Sequence, residues 1–458
     1  MAHADGTPPS VLPPAGAARG GHRPVQSSAR PVQERDADKT EKADRGSGLT
    51  VRADIIIVSW NGREDTLRSL ETAHAQIAGL ADPLSASAVV VDNGSTDGTV
   101  EAIRSRWPGC RVVHLSDNQG FTGGVAAGIR DSNADLLLLL NNDAVPEHGW
   151  LQSMIQSLIE APEDVVAVGG KIVDISGKLA DFLGGMMTFD GHAFQNGFRK
   201  PLTHVSEPAN GSEILFACGG NMIVRRSRFL ELGGFDSDYF AYLEDVDFGW
   251  RSWLSGSRIL YNADGVVRHK SSATSDRLGT FERGVLFERN ALQTALKNYE
   301  GLSLSAVAGP IFLTLLHRLH RYTTERNGDT SSLTRPAIGD RISHHPRHEP
   351  ERGLSRWRRV LGRKIAARPG ATVIDDPLTM MQFRAIQWFF QNSDHLLTKR
   401  ERVQAMRKRT DQDIFQRFPL YYVPTYPGDS DLMSSRLFEL LRAELPSRES
   451  SLEEIMAP

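Results

Sequence analysis

Cysteine is nearly missing from this sequence: Cys110 and Cys218 are the only two in 458 residues. Two thiols cannot build a disulfide framework or a four-ligand zinc site, and so small a number fits a reducing compartment. Long hydrophobic runs are missing too. No stretch reaches the roughly 18 uninterrupted apolar residues of a membrane-spanning helix, so none is predicted. The amino terminus, MAHADGTPPSVLPPAG, lacks the apolar core that a secretory signal needs. Excess charge is absent as well. Lys and Arg number 53 against 56 Asp and Glu, a formal net charge of -3 that gives the whole molecule no attraction to nucleic acid or to acidic substrates. No internal repeat is visible. These absences leave a soluble, cytoplasmic, mixed-structure chain with room for two or three domains.

Residues 1–50 are rich in Pro, Gly, Ala, Ser and charge and almost devoid of large apolar side chains. Such a segment cannot offset the entropy of ordering, and a disordered tail is predicted there. From Asp54 the character changes. The runs DIIIVSW (54–60), SAVVVDNGS (87–95), RVVHLSDN (111–118) and ADLLLLLNND (134–143) alternate with helical stretches. Short apolar runs between helices predict a parallel sheet covered on both faces. Such sheets bind ligands beyond the carboxyl ends of their strands. Three of those ends carry polar clusters: Ser59 to Asn61, Asp92 to Ser95, and Asn141 to Asp143. A fifth strand is expected at 164–173, then strands and glycine-rich loops over 174–215, where a mobile acceptor loop is expected. FACGGNMIVRRS (216–227) reads as a strand entering a short helix, and a helix is expected from near Tyr242 to Gly256. RILYNADGVVRHKSS (258–272) reads as two short strands around a turn, and 282–299 as an amphipathic helix.

Four groups of residues carry chemistry. In DNGSTDGT (92–99), Ser95 or Thr96 can cap the next helix, but Asp92 faces the crevice, where a carboxylate can accept hydrogen bonds from an imide or a ribose. Asn141, Asn142 and Asp143 offer hard oxygen ligands suited to Mg²⁺ or Mn²⁺, although a polar cap before Pro146 would use the same residue types. YLEDVDFGWR (242–251) crowds Glu244, Asp245 and Asp247 into one helix start. The helix dipole accounts for part of that charge. The apolar neighbours imply burial, which raises a carboxyl pKa toward that of a general base. Arg251 falls one turn after Asp247 and can pair with it. His269 follows a strand end within reach of a metal or a diphosphate.

Together these residues resemble the inverting glycosyltransferases of family two. The motifs that carry the resemblance are IIIVSWN (55–61), VVDNGSTDGT (90–99), NQGFTGG (118–124), LLLNNDA (138–144), GGNMIVRRS (219–227), GGFDSDYFAYLEDVDFGWR (233–251) and HKSSATS (269–275). They run from Asp54 to about Tyr299. The resemblance implies a GT-A fold, a Rossmann-like α/β fold with a mixed, mainly parallel sheet between helices, here followed by a mainly helical carboxyl-terminal module. It implies a nucleoside diphosphate sugar donor, bound by Ser59, Asn61, Asp92, Asn93, Gly94, Asn118, Gly120, Asn141 and Asn142. A divalent ion, Mn²⁺ or Mg²⁺, would be held by Asp143 with His269. Asp245 would be the catalytic base with Glu244 beside it, and Gly219, Gly220, Asn221, Asp247 and Arg251 are acceptor-site candidates. Asn141 stands where the general pattern has a first Asp, a form similar to the rhamnosyl- and galactofuranosyl-transferring branch. Ala126 stands where relatives often carry Asn. Rhamnose from dTDP-rhamnose is the leading donor on this basis.

The rest of the chain bears on the acceptor. Residues 287–322 join an amphipathic helix to an apolar segment interrupted by Gly309 and Pro310, expected to be too short to span a bilayer but able to lie on one. In LSRWRRVLGRKIAAR (354–368), Leu354, Trp357, Leu361 and Ile365 share one helical face amid Arg356, Arg358, Arg359, Arg363, Lys364 and Arg368. That pattern reads either as a membrane-surface element or as a helix packed on the catalytic domain with its arginines solvated. The expected organisation is a tail over 1–50, a catalytic domain over 51–280, amphipathic helices over 281–324, a linker over 325–352 and a helical module over 353–458. The expected setting is the cytoplasm, with peripheral contact on the inner face of the cell membrane and a glycan or polyprenyl-linked acceptor. Two alternatives are a non-catalytic nucleotide-sugar-binding scaffold and a nucleotidyltransferase. For the latter, VSWNGRED (58–65) supplies only Gly62 and Arg63 toward a phosphate loop. A nucleic-acid role for the basic module would show as salt-dependent binding, and no nucleic acid is expected as a partner.

Overall fold

The leucines of the 136–140 run are each at most 4% exposed, and they form the middle of a large sheet. Burying one such side chain contributes about 1.5–3 kcal/mol, so the run commits its strand to the interior. The computed structural model describes residues 50–270, 279–324 and 377–456. All but the last residue of the predicted tail lies outside these residues, as do the linker at 325–352, the basic segment 354–368 and SSATS at 271–275.

The leucine strand is β4 (Leu136–Asn141). It pairs in parallel with β1 (Val51–Ser59), which pairs in parallel with β2 (Leu84–Asn93), and β2 with β3 (Arg111–Leu115). The crossovers are α1 (Arg63–Ala78), α2 (Thr99–Arg106) and α3 (Gly120–Asp131). Small residues bring α3 directly onto the sheet. A Cβ on Gly124 would stand 2.4 Å from Val58 Cγ1, and one on Gly128 2.7 Å from Ile56 Cγ2.

Beyond β4 the chain adds β5 (Ala144–Pro146), α4 (Trp150–Ile159), β6 (Val165–Asp174), β7 (Ala180–Phe182) and the hairpin β8 (Gly185–Met187) with β9 (Ala193–Gln195). Then follow β10 (Asn221–Arg225), α5 (Arg226–Glu231), α6 (Glu244–Leu254) and β11 (Arg258–His269). The sheet order is β3-β2-β1-β4-β10-β6-β11-β5, with β7 on β6 as the ninth strand. β10 runs antiparallel to β4 and β6, so the sheet is mixed and mainly parallel, the α/β architecture that the resemblance implies.

Two local expectations are corrected. Residues 258–269 form one strand, because β11 pairs with β6 on both sides of a register shift between Asn262 and Val267, and the ADG turn is absorbed as a bulge. The segment after α7 (Thr280–Asn298) is also unbroken: α8 (Gly301–Thr324) runs through Gly309 and Pro310 as a 24-residue helix. Gly301–Arg321 within it is long and apolar enough to cross a membrane by length and composition.

The remaining described chain is mostly helical: α9 (Pro377–Gln391), α10 (Ser393–Ala405), α11 (Asp411–Arg417), α12 (Asp429–Met433), α13 (Arg436–Leu441) and α14 (Leu452–Ile455), with short parallel strands β12 (Leu420–Tyr422) and β13 (Ser447–Glu449). A buried charge network ties these pieces to α7 and to the β8–β9 hairpin. Arg318 of α8 donates to Asp429 of α12 at 3.1 and 2.7 Å and lies 3.7 Å from Asp190 and 3.6 Å from Glu288 of α7. His192 stands between Asp190 and Glu288 at 3.1 and 3.2 Å. All five side chains are less than 10% exposed.

Candidate active site

Strand register sets the row of polar ends. Ser59 is opposite Asp92, and Val58 is opposite Asn141, so the three clusters end level on adjacent strands. Their side chains then diverge. Ser59 is fully buried and bonds Thr66 Oγ1 at 2.7 Å, which anchors α1 to its strand. Asp92 is also fully buried. One of its oxygens meets His114 Nδ1 at 2.7 Å across to β3, and the other accepts from the Ser95 amide at 3.3 Å. Asn61, at φ 51, donates its amide to Ser95 Oγ and accepts from the Thr96 amide, locking the first two strand-end loops together. Asn93 donates to Asn118 Oδ1 and to the Gly120 carbonyl, both at 3.0 Å, and accepts from the Gln119 amide. Gly94 and Gly120 hold φ 78 and 75. A Cβ on Gly120 would strike the Phe240 carbonyl at 2.3 Å, so glycine is required there twice over.

The second cluster is assembled by β-pairing. β5 pairs antiparallel with β11, which sets His269 opposite Ala144 and beside Asp143. His269 Nε2 lies 2.9 Å from Asp143 Oδ1 and 3.2 Å from Asn141 Nδ2, and its Nδ1 lies 3.0 Å from Asp181 Oδ2 on β7. Burial alone would lower the imidazole pKa, but the two carboxylates push it up to about 10. Asp181 is a residue that sequence reading missed. It orients the ring, as carboxylates behind metal-bound histidines do. Asn142 is tied to Thr66 Oγ1 at 3.1 Å. Among the described residues no group of three or more His, Cys, Asp and Glu is arranged to hold a metal ion. The donor set fits one that shares its shell with a ligand. Asp143 Oδ1 and His269 Nε2, 2.9 Å apart, are the oxygen and nitrogen donors that would hold such an ion beside a ligand's own oxygens.

The third cluster sits at the start of α6. Phe240, Tyr242 and Leu243 hold φ 63, 71 and 64, three unfavourable conformations in four residues. They stop α6 from starting at Tyr242 and set Glu244 and Asp245 at its first turn. Asn290 of α7, fully buried, holds the loop: its Nδ2 lies 3.1, 2.9 and 2.8 Å from the carbonyls of Tyr239, Ala241 and Tyr242. Asp245 accepts from the Gly219 amide at 3.2 Å and from the Val246 amide at 2.8 Å. Burial outweighs those bonds and pushes its carboxyl up to about 6. Burial, with the Asp245 charge beside it, holds Glu244 well above the usual range, and its Oε2 has no hydrogen-bond partner among the described residues.

One crevice of about 780 Å³ is lined by Asn93, Asn118, Gly120, Asn141, Asn142, Asp143, Gly219, Gly220, Glu244, Asp245 and His269. Ser59, Asn61, Asp92 and Gly94 lie behind this lining, in the strand ends and loops that shape it. Asn221, Asp247 and Arg251 are not brought to the crevice. Asn221 is spent on Trp150 Nε1 and the carbonyls of Lys171 and Gly265. Asp247 and Arg251 pair with each other, and Lys297 and Asn298 close on Asp247. That cluster braces α6 against α7. Phe182, Phe194, Phe198, Phe216 and Met456 give another wall an apolar character. Met456 arrives through the final segment, where Ile455 accepts from the Gly197 amide at 2.8 Å and Phe198 bridges to Met456. No local pattern in the sequence marks Asn290 or Met456.

A crevice at the carboxyl ends of the strands, lined by a carboxylate–imidazole pair and by a buried carboxylate, defines a class: an α/β fold with one shared polar pocket at its strand ends. The chain belongs to glycosyl transferase family 2, whose model matches residues 54–233. It is 30% identical over 218 residues to the N-acetylglucosaminyl-diphospho-decaprenol L-rhamnosyltransferase of Mycobacterium tuberculosis, covering 43% of this chain and 70% of that one. It is likewise 30% identical over 228 residues to the O-antigen biosynthesis protein RfbC of Myxococcus xanthus, 48% of this chain but only 17% of that protein's length. The crystal structure of GalNAc-T7 with UDP, GalNAc and Mn²⁺ aligns with 63% of this chain and 54% of its own, at 14% identity and a TM-score of 0.44.

Proposed function

We propose that the chain is an inverting glycosyltransferase that moves rhamnose from dTDP-rhamnose to a glycan or polyprenyl-linked acceptor at the cytoplasmic face of the membrane. The observation that carries the reading is Asp245: a carboxylate raised to about 6, held by two backbone amides, in the crevice that Asp143 and His269 also line. Asp245 takes the proton of an acceptor hydroxyl as that oxygen bonds to the anomeric carbon. The bond from that carbon to the diphosphate oxygen breaks on the opposite face, with inversion. Asp143 and His269 would hold a divalent ion, which when bound supplies charge neutralisation for the departing diphosphate. Asn93, Asn118 and Gly120 shape the nucleoside end. The apolar wall at Phe194, Phe198 and Met456 suits an acceptor with an apolar portion. The choice of rhamnose and of a polyprenyl carrier is supported by the mycobacterial relative's name.

Calorimetric titration of dTDP, UDP and GDP with Mn²⁺ or with EDTA tests the donor site. Binding of dTDP that needs Mn²⁺ and weakens at least tenfold in Asp143→Ala is the expected result. A preference for UDP would replace rhamnose as the donor, and no binding at all would overturn the transferase reading.

A further inference from the structure

Helix α8 is built inside out. Its buried stripe is Ser303, Val307, Pro310, Thr314 and Arg318, three of them polar, each at most 5% exposed or classed with the buried side chains. Its opposite stripe is open and mostly apolar: Leu302 is 87%, Phe312 60% and Leu316 51% exposed, with Ala308, Ser305 and His320 also exposed between or beside them. An amphipathic helix of a water-soluble protein has the reverse arrangement. The polar stripe is also fully engaged. Thr314 donates to the Pro310 carbonyl at 2.8 Å, and Arg318 to Asp429 at 2.7 Å. Helix α13 packs on α8, with Leu441 against Gly309, and carries Leu437 at 54% and Leu440 at 72% exposure. Two helices thus present large apolar side chains to solvent, an arrangement that marks an interaction surface.

We propose that the α8–α13 apolar face docks on the surface of a bilayer rich in anionic lipid, lying in its interface and not crossing it. Two observations select this occupant and posture. The stretch Arg356 to Arg368, about thirty residues beyond the end of α8 and outside the described residues, carries Arg356, Arg358, Arg359, Arg363, Lys364 and Arg368 and no Asp or Glu. A second copy or an apolar protein partner would have no use for that charge, whereas anionic headgroups complement it. Crossing is opposed by Arg318, a charge whose buried pairing with Asp429 holds one face of α8 against the rest of the fold. A helix anchored on one face can offer a membrane only its other face. The inference needs neither donor nor acceptor, so it stands or falls apart from the transferase reading.

The test is co-sedimentation of the full chain with phosphatidylcholine vesicles containing about a quarter phosphatidylglycerol, beside pure phosphatidylcholine. The native chain is expected to partition onto the anionic vesicles and to lose at least about threefold in binding when salt is raised to about 0.5 M. L302Q/F312Q/L316Q is expected to bind at least about tenfold more weakly with an unchanged thermal melt. L437Q/L440Q, on the other helix, serves if the first variant does not fold. A native chain that stays in the supernatant overturns the proposal. So does a folded variant that binds as the native chain does, or a native dimer that the variants convert to monomer. Equal binding to both vesicle types overturns the anionic preference.

Discussion

Asp245 gives the sharpest prediction because its environment sets both a direction and a position on the pH axis. A general base works ionised. With its carboxyl pushed up to about 6 by burial, roughly a tenth of the molecules carry the base at pH 5 and roughly nine tenths at pH 7. The rate must therefore fall as pH falls through about 6, and kcat/KM should rise about tenfold from pH 5 to pH 7 before levelling off. Asp245→Asn keeps the shape and can still accept from one of the two amides, Gly219 or Val246, through its single oxygen, but it cannot take a proton. Loss of a positioned base costs about 10²–10⁴ in rate, while nucleotide affinity should stay within about twofold. The assay is the initial rate of nucleoside diphosphate release from dTDP-rhamnose, with added acceptor or with water in its place, from pH 5 to 8. Glu244→Gln separates the two neighbours: if Asp245 is the base, the inflection near pH 6 survives in this variant. A flat profile between pH 5 and 7, or an Asp245→Asn variant retaining more than about a tenth of the rate, would refute the assignment.

Asn290→Leu should loosen the loop that presents Asp245. One amide group has two N–H bonds to share among three carbonyls, so the loss is worth about 2 kcal/mol, read by urea unfolding, with a fall in kcat and little change in nucleotide affinity. Gly120→Ala places a methyl group against the Phe240 carbonyl at a positive φ, and turnover should fall at least about tenfold at unchanged expression. His192 predicts a pH-dependent stability. Asp190 and Glu288 overcome the effect of burial and raise it to about 10, so its stabilising contribution is complete below the unfolded value of about 6.5 and is lost as pH rises through about 10. The melting-temperature gap between the native chain and His192→Gln should accordingly be widest below pH 6.5 and close toward pH 10.

The parallel half of the sheet was legible because β1, β2 and β4 are buried on both faces where they pair and read as unbroken apolar runs, each stopping at a polar cluster, while β3 at the edge is only partly buried. Asp143 and His269 were legible as residue types, but not their contact, which depends on a three-residue strand pairing with a partner more than a hundred positions away. Asp181 stood unmarked in a glycine-rich stretch. Asp247 and Arg251 misled for a physical reason: acidic residues crowding a helix start look alike whether they face a ligand or another helix. Only the arrival of Lys297 and Asn298 from α7 shows which. The inside-out character of α8 was hidden because an apolar stripe in sequence is assumed to face inward. Pro310 looked like an interruption, yet the helix passes through it.

The family match ends at residue 233, but a polypeptide cut there would not be a self-sufficient body. It would keep Asp190 and His192 while losing Glu288, Arg318 and Asp429, the groups that surround them in the interior. It would also lose β11, which pairs with both β5 and β6 in the nine-stranded sheet. The portion that the family model matches and the portion able to fold are therefore different lengths of chain. Evolution could lengthen or replace the helical end only by reconstructing the charges beneath the β8–β9 hairpin at the same time.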